Sequence, residues 1–186
     1  IAYLEKLRMM IQYLGASDCK LQEGSMRADV KLSVREVGSE KFGTRTEMKN
    51  LNSFKAIGRA IEGERARQIE LIDEGKAVVQ ETRHWDDNKE YSYAMRSKED
   101  AKDYRDFPDP DLPPVHISDE WIDRIVKSMP EFQPEKQARY VEQYGLPQYD
   151  AEILTGSKHL ADVFEQTVAI CGKPKEVSNW LMTEAM

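Results

Sequence analysis

The spacing of apolar positions changes twice along this chain, and each change marks a different kind of element. Between Met26 and Val34, the apolar residues Met26, Ala28, Val30, Leu32 and Val34 alternate with Arg27, Asp29, Lys31, Ser33 and Arg35. This is the period of a strand with one face in a core and the other densely charged. The charged face reads either as a solvated sheet face or as the floor of a polar site. After the turn Gly38–Gly43, residues Thr44, Thr46 and Met48 alternate with Arg45, Glu47 and Lys49, which predicts a second strand antiparallel to the first. If the charged faces coincide, Arg27 and Asp29 share a surface with Glu47 and Lys49, although sequence does not fix the register.

Helical spacing dominates elsewhere. Tyr3, Leu4, Leu7, Met10, Ile11 and Leu14 form one apolar stripe closed by Gly15, which predicts a core-facing helix. Asn52 or Ser53 caps a long helix that runs to about Glu74, with Gly75 at its end. On that helix Phe54, Ile57, Ile61, Leu71 and Ile72 share a face from whose middle Glu64 and Gln68 project. An unpaired buried carboxylate is costly, so Glu64 either pairs internally with an Arg or Lys or serves a site. In neither case is it simply exposed.

A further hairpin is expected from Val78 and Val79 through Trp85, with a turn at Asp86–Lys89 and alternation at Tyr91, Tyr93 and Met95. The segment Lys98–Pro114 carries four prolines and many acids, which predicts an extended surface path. It reads as a rigid linker or as a rim in which Tyr104, Arg105, Asp109 and Asp111 meet a cation, nucleotide or partner. From Ser118 onward only helices are expected, starting after Ser118, at Pro134, at Pro147, after Ser157 and at Pro174 or Lys175. The fold class is therefore α+β: an antiparallel sheet with packed helices, followed by an all-α part. A boundary near Ser128 divides the chain into 1–128 and 129–186.

Composition narrows the picture only modestly. A net charge of −7, with −4 of it after Ser128, makes neither part a basic nucleic-acid module. No apolar run approaches the roughly 20 residues of a membrane span. Cys19 and Cys171 lie far apart with no His or Cys at metal-ligand spacing, which suits a reducing cytosol. The opening Ile1–Leu7 lacks an initiating Met and reads as the middle of a helix, so the chain is expected to be a piece of something longer.

The candidate chemistry concentrates in Thr46–Phe54. Glu47, Lys49, Asn50 and Asn52 offer a carboxylate, an ammonium and two amides within six residues, a mixture able to hold an anionic ligand or a metal-phosphate group. The same residues also read as ordinary helix caps and edge-strand charges. Common phosphate-loop, dinucleotide, nucleophile-elbow and zinc-protease signatures are absent. His84, His116 and His159 are isolated and read as surface or structural residues.

Several ordered motifs resemble one family. They are Glu23-Gly24-Ser25-Met26-Arg27-Ala28-Asp29, Thr46-Glu47-Met48-Lys49-Asn50-Leu51-Asn52-Ser53-Phe54, Arg67-Gln68, Gln80-Glu81-Thr82-Arg83, Met95-Arg96-Ser97-Lys98-Glu99 and the run Asp103–Leu112. With Tyr144-Gly145-Leu146-Pro147, Tyr149-Asp150-Ala151 and Ser178–Met182, they resemble the B-subunit (GatB) family of tRNA-dependent amidotransferases over essentially the whole chain. The resemblance implies the later half of a catalytic cradle followed by part of a helical domain. It also implies a cytoplasmic ligase subunit that works with GatA and GatC. Such a subunit uses ATP and a divalent cation, Mg2+ or Mn2+, to phosphorylate the side-chain carboxylate of Glu-tRNA(Gln) or Asp-tRNA(Asn). Ammonia from the glutaminase subunit then displaces the phosphate.

By the same resemblance, Asp29 is the expected metal ligand. Arg27, Glu47 and Lys49 are the expected catalytic residues, and Asn50, Asn52, Glu23 and Glu64 are expected at the nucleotide or acyl end. The family's remaining ligands are expected upstream of Ile1, so the isolated chain is expected to be inactive. Two positions depart from the family pattern: Asp106 stands where an aromatic is usual, and Lys31 where Asn is common. Two alternatives remain, an archaeal GatE-type subunit and a non-catalytic tRNA-binding or assembly module.

Overall fold

The computed structural model describes residues 1–95 and 110–184. The expected roles of Tyr104, Arg105, Asp106 and Asp109 lie outside these described residues. The contacts group the chain into two compact units. One comprises Ile1 and Lys20–Val115, and the other comprises Ala2–Cys19 with His116–Met186.

The first unit is a four-stranded sheet backed by one long helix. Its strands are β1 (Val30–Leu32), β2 (Thr46–Lys49), β3 (Thr82–Asp86) and β4 (Tyr91–Ala94), paired in chain order. The β1–β2 and β3–β4 pairs are antiparallel, as expected, but β2 and β3 run parallel. The expectation of a purely antiparallel sheet is thereby corrected to a mixed one. Parallel neighbours need a long crossover, and the helix between β2 and β3 supplies it. That helix, α2 (Phe54–Asp73), starts after Ser53, whose hydroxyl accepts from the Ala56 N–H, and stops at Glu74 before left-handed Gly75.

α2 lies closer to the sheet than its large apolar residues suggest. Its buried residues are Ala56, Ile57, Ala60, Glu64 and Gln68, while Ile72 is half exposed. Ile57 of the expected apolar face is buried together with Ala56 and Ala60, whereas Phe54, Leu71 and Ile72 are not fully buried. Gly63 shows how tight the helix–sheet contact is: a Cβ there would stand 3.1 Å from the Trp85 ring.

Close approach also lets two long polar side chains reach the strands. Glu64 accepts from Thr46 Oγ1 at 2.8 Å, from Gln68 Nε2 at 2.9 Å, and from Arg67 through Nη2 at 2.6 Å and Nε at 2.9 Å. Gln68 accepts from the Val34 N–H at 3.1 Å. Arg83 Nε lies 3.6 Å from Glu64, and its guanidinium also donates to Ser92 and Glu81. Burial raises the Glu64 carboxyl, but the hydrogen bonds from Arg67, Gln68 and Thr46 outweigh it and hold the group below the usual carboxylate range. Glu64 is thus not exposed, and its partners are internal.

The second unit is helical. It contains α1 (Ala2–Tyr13), α3 (Asp119–Ser128), α4 (Gln133–Tyr144), α5 (Gln148–Leu154), α6 (Lys158–Cys171) and α7 (Pro174–Glu184). Ser118 and Ser157 cap α3 and α6 as predicted, and left-handed Gly145 and Gly172 close α4 and α6. Tyr140, Leu146, Leu154, Phe164, Val177 and Leu181 anchor the core. The apolar stripe predicted to face a core on α1 is covered only in part, with Leu4, Leu7 and Ile11 half-buried. Tyr3 is 74% and Leu14 47% exposed, and the buried residue is Tyr13, whose hydroxyl donates to the Thr155 carbonyl at 2.8 Å. The helix docks through its last turn, where the phenol fills the core and satisfies a buried carbonyl in one step.

Candidate functional site

The residues at the end of β2 are turned toward the segment before β1. Val30 pairs with Met48 and Lys31 with Glu47, so the outward faces of the two strands coincide. Thr46 and Met48 point into the core, leaving Glu47 and Lys49 on the outward side. Lys31, one of the two departures from the family pattern, therefore faces Glu47 across the pair.

Beyond Lys49 the backbone changes course sharply. Asn50 adopts a left-handed conformation with φ 66°, which Asn tolerates better than most residues. Leu51 then drops into the core at 5% exposure, and Asn52 emerges before the Ser53 cap. This bend lets a short link connect a strand to a helix while presenting Asn50 and Asn52 on the outward side.

A cleft of about 400 Å³ lies between this bend and residues 21–29. Arg27, Asp29 and Glu23 line one wall, and Lys49, Asn50 and Asn52 line the other. Six of the eight site residues expected from sequence are therefore in one place. Glu47 and Glu64 are not among the lining residues. Glu47 accepts from Thr82 Oγ1 at 3.1 Å and sits 3.8 Å from the Lys49 ammonium, so it neighbours the cleft through Lys49. Glu64 lies on the opposite, buried face of the sheet within the Arg67–Gln68–Thr46 network. Glu23 is held by Lys20 at 2.9 Å.

His84, read from sequence as a surface or structural residue, also lines the cleft. It is the register partner of Lys49 on β3, and its ring lies 5.0 Å from that of Tyr93 on β4. Asn50 Nδ2 contacts His84 Nε2 at 2.9 Å and the Trp85 carbonyl at 3.1 Å. The signal that points to His84 is the outward alternation Thr82, His84, Asp86 within β3. An isolated histidine carries no spacing signature of its own.

Chemically, Arg27 and Lys49 bring two cations to an open polar cleft, with Asn52 adding an amide donor. That combination suits an anionic group such as a phosphate or carboxylate. Both Asn50 amide hydrogens are used internally, so Asn50 offers the cleft only its carbonyl oxygen. Among the described residues no three His, Cys, Asp or Glu side chains stand close enough to hold a metal ion together. Asp29 would be a single carboxylate ligand, not a complete site.

The first unit is thus an α+β domain with a polar cleft at the junction of β2 and α2. Residues 1–123 match the family described as the GatB/GatE catalytic domain, and the chain belongs to that family. All 186 residues align with the B subunit of the aspartyl/glutamyl-tRNA(Asn/Gln) amidotransferase of Agathobacter rectalis at 71% identity. The subunits of the same name from Lachnospira eligens and Lachnoclostridium phytofermentans are 70% and 68% identical over the same length. The chain spans 38–39% of the length of these relatives. Among the described residues no helix is long and apolar enough to cross a membrane.

Proposed function

We propose that the protein containing this chain is the B subunit of a tRNA-dependent amidotransferase, and that the cleft is one wall of its carboxylate-activating site. The observation that carries the reading is the convergence of Arg27, Asp29, Lys49, Asn50 and Asn52 on one cleft in a member of this family. The reaction phosphorylates the side-chain carboxylate of Glu-tRNA(Gln) or Asp-tRNA(Asn) with ATP, after which ammonia displaces the phosphate. Activation is required because a carboxylate resists attack by an amine until one oxygen becomes a good leaving group.

The chain's own residues have definable parts in this reading. The Arg27 guanidinium and Lys49 ammonium offset negative charge on the transferred phosphoryl group, the main electrostatic demand of phosphoryl transfer. Asn52 orients an oxygen of the nucleotide or acyl end. Glu47 holds Lys49 near β3, which makes it a positioning residue for that cation. Asp29 is the side chain here that would contribute to a bound divalent ion, which would neutralise phosphate charge. GatA would supply ammonia, with GatC completing the complex.

The test is Asp29→Ala and Arg27→Ala in the full-length subunit within its complex, with ATP-dependent amidation assayed separately from glutaminase activity. Loss of amidation with glutaminase retained is the expected result. Loss of both activities, or of neither, removes these residues from the activation step.

A further inference from the structure

We propose that His84 is a ligand-binding residue of the cleft, donating its Nδ1–H to an anionic oxygen of a phosphate or carboxylate. The proposal rests on the reading of the cleft given above and names a contact which that reading does not contain.

The Trp85 carbonyl can only accept a hydrogen bond. The Asn50 side-chain atom 3.1 Å from it must therefore be the amide nitrogen. That same nitrogen stands 2.9 Å from His84 Nε2, so it donates there and Nε2 accepts. A neutral imidazole that accepts at Nε2 carries its proton on Nδ1. Asn50 thus sets the tautomer of the ring beside it.

The position of the ring is also fixed. Tyr93 stacks against it with centroids 5.0 Å apart and planes inclined at 31°. Its strand neighbour across β2–β3 is Lys49, and both side chains line the cleft. Among the described residues Nδ1 has no protein hydrogen-bond partner, and it is not a buried atom. An oriented N–H donor is therefore presented beside a cation, on a wall where Asn50 has no donor left to give. Donors of this kind bond most strongly to ionised oxygens. A nucleotide phosphate and the acyl end of a charged tRNA both carry such oxygens.

Two substitutions separate binding from support. The amide nitrogen of Asn falls near the Nδ1 position of the histidine it replaces, whereas Gln places its polar atoms near Nε2. His84→Asn keeps the ligand donor, and His84→Gln keeps an acceptor for Asn50 but loses the donor. In the full-length subunit within its complex, KM for ATP and for the charged tRNA are measured for His84→Phe, His84→Gln and His84→Asn, with Arg27→Ala alongside.

His84→Phe and His84→Gln are expected to raise one KM about tenfold, with kcat changed far less, and His84→Asn to stay close to wild type. A rise confined to ATP assigns the oxygen to the nucleotide, and a rise confined to the charged tRNA assigns it to the acyl end. Wild-type behaviour of His84→Gln with a defect in His84→Asn would show that the ring only supports Asn50 and would overturn the proposal. Unchanged constants for His84→Phe beside a raised KM for Arg27→Ala would overturn it while leaving the cleft reading intact. Unchanged constants for both variants would remove the cleft reading itself.

Discussion

Thr46 donates to Glu64 at 2.8 Å beneath β2, so the strand that carries Lys49 to the cleft is fastened to α2 from its buried side. Thr46 and Glu64 are both fully buried, and Gln68 joins the same pair by donating to Thr46 at 2.8 Å. Positioning of the cleft thus depends on a polar network that never touches it.

Removing the carboxylate should be severe. Glu64→Ala leaves Arg67 without its paired carboxylate and Arg83 with Glu81 alone, and a buried pair broken in this way costs about 3–5 kcal/mol. Glu64→Gln keeps the shape and one acceptor and should cost less. Urea unfolding of the full-length subunit checks both, and a loss under about 0.5 kcal/mol for Glu64→Ala, the range of an ordinary surface change, would refute the role.

The same network predicts a pH dependence. The folded Glu64 carboxyl lies below its unfolded value, so its contribution is complete above the ordinary glutamate pKa of about 4.3 and disappears as pH falls through the lower folded value. The stability difference between wild type and Glu64→Gln should therefore be constant near neutrality and shrink in acid. A difference that grows below about pH 4 would contradict the sign.

Gly63 tests how closely the helix approaches the sheet. Gly63→Ala gains about 1 kcal/mol of helix propensity, offset by a Cβ placed 3.1 Å from Trp85, so it should be near neutral. Gly63→Val cannot relieve the contact by a small shift and should cost about 1–3 kcal/mol. Thermal melts of the two variants, followed with Trp fluorescence, distinguish these outcomes. Equal stabilities would show that the Trp85 ring moves freely.

Asn50 combines an unusual backbone with two side-chain bonds, and two substitutions separate them. Asn50→Gly keeps φ 66° accessible and removes only the links to His84 and Trp85. Asn50→Ala removes the links and adds left-handed strain of about 1–2 kcal/mol. The Ala variant should be the less stable of the two in urea, and both should weaken ATP-dependent amidation. Equal stabilities would show that the bend carries no strain.

Much of the fold was legible because it is written in local chemistry. The Ser53, Ser118 and Ser157 caps, the closing glycine Gly75, and the strand alternation through β2 each depend on a few adjacent residues. The α1 stripe is covered only at Leu4, Leu7 and Ile11, because periodicity reports which face is apolar, not how much of it another element covers. On α2 the same limit hid Ala56 and Ala60, small residues that make contact by letting backbones approach.

For the candidate site, sequence by itself determined the ingredients: the charged alternation at Arg27 and Asp29, the cluster from Glu47 to Asn52, and the necessity that Glu64 be satisfied. Tertiary structure alone decided their grouping. The β1–β2 register put Lys31 opposite Glu47, the α2 crossover made β2 and β3 parallel, and that pairing set His84 beside Lys49 and within reach of Asn50. Glu64 went to the buried face and left the cleft to others, because residues adjacent along a strand point to opposite sides and only Thr46, not Glu47, faces the helix. Which residues can share a ligand is fixed by strand pairing between segments far apart in the chain, a relation that no local pattern encodes.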